Sequence, residues 1–252
     1  MTQAPGNLLE VRHLLLTYLN IDKSKTKADD LESAEVGIVG DANHRGGYHC
    51  GSNRVVRNDY SVVESSRDKS GLTLFASALD VGNFSYTKNG RTHNLRTFSA
   101  WMVAQCKANA ADTRDIREII YSPDGRTVRR WDRLGRRTSG DSSHLYHTHF
   151  SFFRDATKSG RDLTGPFRRY LIHIGAIVVP KPAPLPSPLE AMMELHDKLT
   201  GTDNPNRTVG DALADLSNLR NLLITPVGQY KGPGAPQPGS PLDLIIKALS
   251  GK

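Results

Sequence analysis

The chain has 252 residues, and 33 Lys and Arg against 26 Asp and Glu give a formal charge of +7, which draws it toward polyanions without choosing among nucleic acid, anionic lipid and the teichoic-acid-bearing bacterial wall. With only Cys50 and Cys106, and no C-x-x-C pair, a disulfide framework and a Cys-rich zinc finger are excluded. No apolar run approaches the ~18–20 residues that cross a bilayer, and the first residues carry neither the basic nor the apolar part of a secretory signal. The expectation is a protein without a transmembrane segment, made in a cytoplasm, whose action outside a cell would need another route of release.

Asn7–Asn20 places Leu8, Val11, Leu14, Leu15 and Leu19 at helical spacing, with Asn7 as a plausible N-cap. Residues 23–27 read as a polar loop. Val36–Val39 is a short apolar segment that runs into Gly40–Gly51, a glycine-rich loop holding His44 and His49; no Gly-Lys-Ser/Thr follows, so it is not a phosphate loop. Residues 60–64 suggest a short strand and 67–71 a polar turn. Leu74–Val81 is apolar except for Asp80. Arg96–Asn109 has helical periodicity, which makes Cys106 a helix-face or core residue. Ile116–Ile120, the turn Ser122-Pro-Asp-Gly125 and Thr127–Asp132 read as a hairpin. Six arginines lie between Arg126 and Arg137; they suit a solvated loop or the rim of an anionic-ligand site equally well.

Tyr146–Phe153 alternates and is rich in aromatic and hydroxyl residues, the pattern of a strand. His147 and His149 would share one face and Phe150 and Phe152 enter the core, while a turn at Ser142-Ser143 would fold His144 back over the histidine face. Imidazoles placed in this way suit Zn²⁺, and a buried carboxylate such as Asp80 is usually paired or coordinating. Residues 162–176 read as a closing helix with Pro166 in its first turn. Composition then shifts. The expected organisation is a domain over residues 1–177, a Pro-rich linker over 178–188, and a small helical module or oligomerisation element over 189–252.

The motifs Ser77-Ala-Leu-Asp80 and His144-Leu-Tyr-His147-Thr-His149 resemble those of the zinc peptidases that include D-Ala-D-Ala carboxypeptidases, L-alanyl-D-glutamate endopeptidases and the penicillin-insensitive murein endopeptidase, to which the hedgehog signalling domain is similar in fold. Gly40-Asp-Ala-Asn-His44-Arg-Gly also resembles a motif of phage lysins from actinobacterial hosts. The resemblance covers roughly residues 36–175, and residues 208–220 look like the tail of such lysins, which adds wall binding as an alternative role for residues 189–252. It implies an α+β fold with a small antiparallel sheet flanked by helices, Zn²⁺ as cofactor, peptidoglycan as partner rather than nucleic acid, and release to the cell wall as a lysin.

Where that family carries a His seven residues before the Asp, this chain has Thr73, and Ala76 stands at the glycine position. His49 is the best replacement as first ligand, with His44 the alternative; Asp80 and His149 carry over directly. His144 and His147 match the family's acid/base or transition-state histidines. Glu64 or Asp141 could supply a carboxylate base, and Arg67 or Arg54 could pair with a peptide carboxylate. Other readings are a Cys50–His peptidase, a nuclease, and a non-catalytic wall-binding or phage structural protein with a degenerate metal site.

Overall fold

The computed structural model describes residues 1–22, 25 and 29–179. Residues Met1–Pro180 form one compact unit. The expected linker and C-terminal helical module lie outside the described residues, apart from the last two positions before Pro180.

Helix α1 (Gly6–Leu19) forms where expected and buries Leu8, Val11, Leu14, Leu15 and Leu19. Pro5, not Asn7, occupies its N-cap. Asn7 is instead buried, and its amide donates to the carbonyls of Ala156 (3.3 Å) and Arg161 (3.0 Å). Two further departures lie between the glycine-rich loop and the sheet. The two-residue strand β1 (Val36–Gly37) is followed by two short helices, α2 (Tyr60–Val63) and α3 (Ser66–Gly71), where a strand and a turn were expected. Their caps explain the difference: Asp59 accepts from the Ser61 N–H and Ser65 from the Arg67 N–H, so each helix starts on a side-chain acceptor.

Strand β2 (Ala78–Val81) precedes a separate hairpin, β3 (Ser85–Lys88) and β4 (Arg91–Asn94), turned at Asn89-Gly90 with both residues at positive φ. Helix α4 (Leu95–Lys107) is capped by Asn94. Strands β5 (Ile116–Tyr121) and β6 (Arg129–Asp132) form the expected hairpin, and β7 (Thr148–Phe152) pairs antiparallel with both β2 and β5. Helices α5 (Arg154–Lys158) and α6 (Gly165–His173) complete the unit, with Pro166 in the first turn of α6. The main sheet runs β1-β2-β7-β5-β6. An α+β protein with a small antiparallel sheet and flanking helices is therefore observed.

The sheet is two-faced. Leu79, Val81, Ile119, Phe150 and Phe152 join the hydrophobic core with Leu15, Phe98, Met102 and Phe167 from α1, α4 and α6. Phe98 sits at its centre, 5.6 Å from Phe150 and 4.8 Å from Tyr170 between ring centroids. The opposite face carries Asp80, Glu118, His149 and Ser151. A bulge between Ile116 and Glu118 makes this division workable. Consecutive residues Arg117 and Glu118 both meet charged partners there, while Ile116 and Ile119 stay in the core.

Burial of Arg117 is matched by charge. Its guanidinium meets Asp132, Glu64 at 2.8 Å, and Asp68 and Glu118 at 3.9 Å. The arginines of the β5–β6 segment divide between two fates. Arg126, Arg129 and Arg136 are exposed. Arg130 binds Glu118, Arg133 clamps the Ile116 and Thr113 carbonyls, and Arg137 binds Glu64 and lies 4.2 Å from the Tyr60 ring centre. Half of this run is thus internal scaffolding, which neither sequence reading anticipated.

Candidate metal centre

Cross-strand register accounts for two of the site's three groups. Asp80 on β2 is the direct partner of His149 on β7, and residues opposite one another in an antiparallel pair bring their side chains within contact. His149 Nδ1 lies 2.9 Å from Asp80 Oδ1.

The third group arrives from the glycine-rich loop. His49 Nε2 stands 3.1 Å from Asp80 Oδ2 and 3.0 Å from His149 Nδ1. Two arginines pin this loop. Half-buried Arg54 donates to the carbonyls of Gly40 (3.1 Å), Asp41 and His44 (2.6 Å). Buried Arg154 donates to the carbonyls of Gly47 (2.9 Å), Cys50 (3.0 Å) and Ser61 (2.8 Å), so it grips the backbone on both sides of His49. Gly51 closes the loop against β2's lead-in: a Cβ there would fall 2.2 Å from the Leu74 carbonyl oxygen, so only glycine fits.

His49, Asp80 and His149 could together hold a metal ion, their ligand atoms lying within 4.8 Å of one another. The donor chemistry fits such an ion. His49 Nδ1 is 2.7 Å from the Ile38 carbonyl, which can only accept, so the proton sits on Nδ1 and Nε2 presents a lone pair to the carboxylate. Acceptor facing acceptor calls for a cation between them, either a metal ion or a second proton on His49 Nε2. Burial lowers the His49 imidazole, but its bond to Asp80 outweighs that and leaves it raised. Burial pushes the Asp80 carboxyl up, yet the close approach of His149 and His49 holds it well below the usual carboxylate range. Burial lowers the His149 imidazole.

His144 and His147 line the same pocket, together with Tyr60, Arg130 and Asp141. Their rings are 4.7 Å apart, and His147 Nε2 lies 3.7 Å from Asp80 Oδ1. The short 3-10 turn Ser142–Leu145, capped by Asp141, folds His144 back as expected. Burial lowers both imidazoles, leaving them neutral near pH 7.

The structure separates other sequence candidates from the three-residue group. His44 is exposed and belongs to the pocket wall, its ring centre 5.7 Å from that of His49. Glu64 is committed to Arg117 and Arg137, and Arg67 to Asp115 and Asp155, so neither serves as the base or the carboxylate partner considered above. Arg54 is likewise spent on loop carbonyls. Asp141 does reach the pocket. Cys50 and Cys106 are both buried and unpaired, and burial raises the Cys50 thiol, the opposite of an activated nucleophile. Sequence reasoning missed Arg154 and Tyr60, whereas Arg130 belongs to the arginine run read as a solvated loop or a ligand rim and lines the pocket. The only signal was an arginine directly after Phe153, at the end of an otherwise buried strand.

Comparison with protein-family models, curated proteins and solved structures finds no match to this chain.

Proposed function

We propose that residues 1–177 form a zinc peptidase of the D-Ala-D-Ala carboxypeptidase and hedgehog-like type, acting as a lysin on peptide bonds of bacterial peptidoglycan. The observation that carries this reading is the convergence of His49, Asp80 and His149 at one end of a pocket walled by two more histidines. Three protein ligands leave a fourth position open, the arrangement of catalytic rather than structural zinc. Two imidazoles and one carboxylate favour Zn²⁺ over Mg²⁺ or Ca²⁺. When bound, zinc polarises a scissile carbonyl and brings the ionisation of water toward neutral pH.

The protein's own groups supply the rest. His147 is close enough to Asp80 to sit beside the reacting centre and, being neutral, can accept a proton and return it to a leaving amine. His144 Nδ1 lies 3.2 Å from the Asp141 carbonyl, which fixes that nitrogen as the donor and leaves Nε2 basic. The excess positive charge suits an anionic wall.

Metal analysis of the purified full chain tests the reading. About one zinc per chain is expected, lost in His49→Ala and His149→Ala but retained in Thr73→Ala. Zinc-loaded wild type is expected to release peptides from purified peptidoglycan, and His147→Ala to keep zinc while losing most of that activity. A wild type that takes up no zinc when it is supplied refutes the proposal; zinc uptake without hydrolysis favours the non-catalytic wall-binding alternative.

A further inference from the structure

The alternation that aims His149 at the pocket also aims Ser151 at the same face of β7, and both are buried. On the neighbouring strand Glu118 is the register partner of Ser151 and is fully buried. These three side chains form a line of hydrogen bonds leading away from the metal centre. His149 Nε2 is 2.9 Å from Ser151 Oγ, and Ser151 Oγ donates to Glu118 Oε1 at 2.8 Å. The far carboxylate is itself fixed from the pocket wall: the Tyr60 hydroxyl donates to Oε1 at 3.1 Å, and Arg130 Nε donates to Oε2 at 2.9 Å.

The direction of these bonds follows from what each group can do. A carboxylate paired with Arg130 can only accept. The single hydroxyl proton of Ser151 is therefore drawn to Glu118, and its oxygen is left to accept from His149. That places the proton of neutral His149 on Nε2 and leaves Nδ1 as a lone pair, the nitrogen that faces Asp80 and His49. Without Ser151 the opposite tautomer, with Nδ1–H donating to Asp80, would satisfy the carboxylate and compete with a cation.

We infer that Ser151 and Glu118 are positioning residues that hold His149 in its metal-binding tautomer, with Tyr60 and Arg130 fixing Glu118 in turn. The inference rests on the metal-centre reading of His49, Asp80 and His149. Outer partners of metal-bound histidines contribute roughly 10–100-fold in affinity, so the role has a measurable size. It also gives a use to a charged residue buried on the central part of the sheet, which core packing alone would not place there.

The test is a titration of the metal-free full chain with Zn²⁺ against a competing chelator, beside thermal melts of the same metal-free proteins. Ser151→Ala removes one hydroxyl and is expected to weaken zinc binding roughly 10–100-fold while leaving the metal-free melting temperature near that of wild type. Ser151→Thr, which restores the hydroxyl, is expected to recover affinity. Glu118→Gln is expected to weaken zinc as well, but it also disturbs Arg117 and Arg130, so Ser151→Ala decides. Equal zinc affinity in wild type and Ser151→Ala overturns the positioning role alone. A wild type that binds no zinc overturns the metal-centre reading and this role with it.

Discussion

Replacing Arg154 by methionine should unseat the loop that delivers His49. The guanidinium is buried and donates to three backbone carbonyls, those of Gly47, Cys50 and Ser61, and to the Ser61 hydroxyl at 2.7 Å. Methionine fills similar space but donates nothing. Each buried acceptor left unpaired costs roughly 1–3 kcal/mol; with some relief from water entering beside the loop, the net loss is expected to be about 4 kcal/mol, in the range found for breaking buried charged networks. For a unit of this size that corresponds to a fall in melting temperature of roughly 8–16 °C. Both tryptophans, Trp101 and Trp131, lie within the described unit, so fluorescence-detected urea unfolding of the full chain reports on it directly. Zinc affinity is expected to fall in parallel, because the residues on either side of His49 lose their anchors. A loss below about 1 kcal/mol, with zinc binding intact, would refute the claim that this arginine builds the site.

Two further outcomes follow from buried titratable groups. Burial raises the Asp68 carboxyl from 3.8 to about 6 despite bonds from Tyr48 and the Arg154 N–H. Below 3.8 both folded and unfolded chains hold the proton; as pH rises to about 6 the unfolded chain releases it first, so Asp68 lowers stability by roughly 3 kcal/mol across that window and by a constant amount above it. Asp68→Asn should flatten that part of the stability–pH profile, and an unchanged slope would count against the raised carboxyl. Burial also raises the Cys50 thiol, so Cys50→Ala should retain peptidoglycan hydrolysis and the native thiol should react slowly with disulfide reagents; loss of hydrolysis in Cys50→Ala would revive a cysteine mechanism.

Periodicity and local chemistry made much of this protein legible from its sequence. Helical spacing in 7–20 and 96–109, the Pro-Asp-Gly turn between β5 and β6, and the alternation over Thr148–Phe152 depend on neighbours a few residues apart. Each reappears in the structure, although the strand starts two residues later than expected and leaves His147 just before it. The histidine strand also declared its two faces, since Phe150 and Phe152 are fully buried opposite His149. Residues 60–71 misled because the apolar side chains of 60–64 suggested a strand and the polar ones of 67–71 a turn, whereas Asp59 and Ser65 capped two short helices. The remaining decisions were tertiary. That His49 rather than His44 meets Asp80 depends on Arg154, more than a hundred residues away, gripping the carbonyls around it. That three arginines after the Pro-Asp-Gly turn bind inward depends on Glu64, Glu118 and backbone carbonyls of other segments. Side-chain type and spacing fix which face a residue takes on its own element, but the partner across that face is chosen only when distant segments pack and buried charges must find their counterparts.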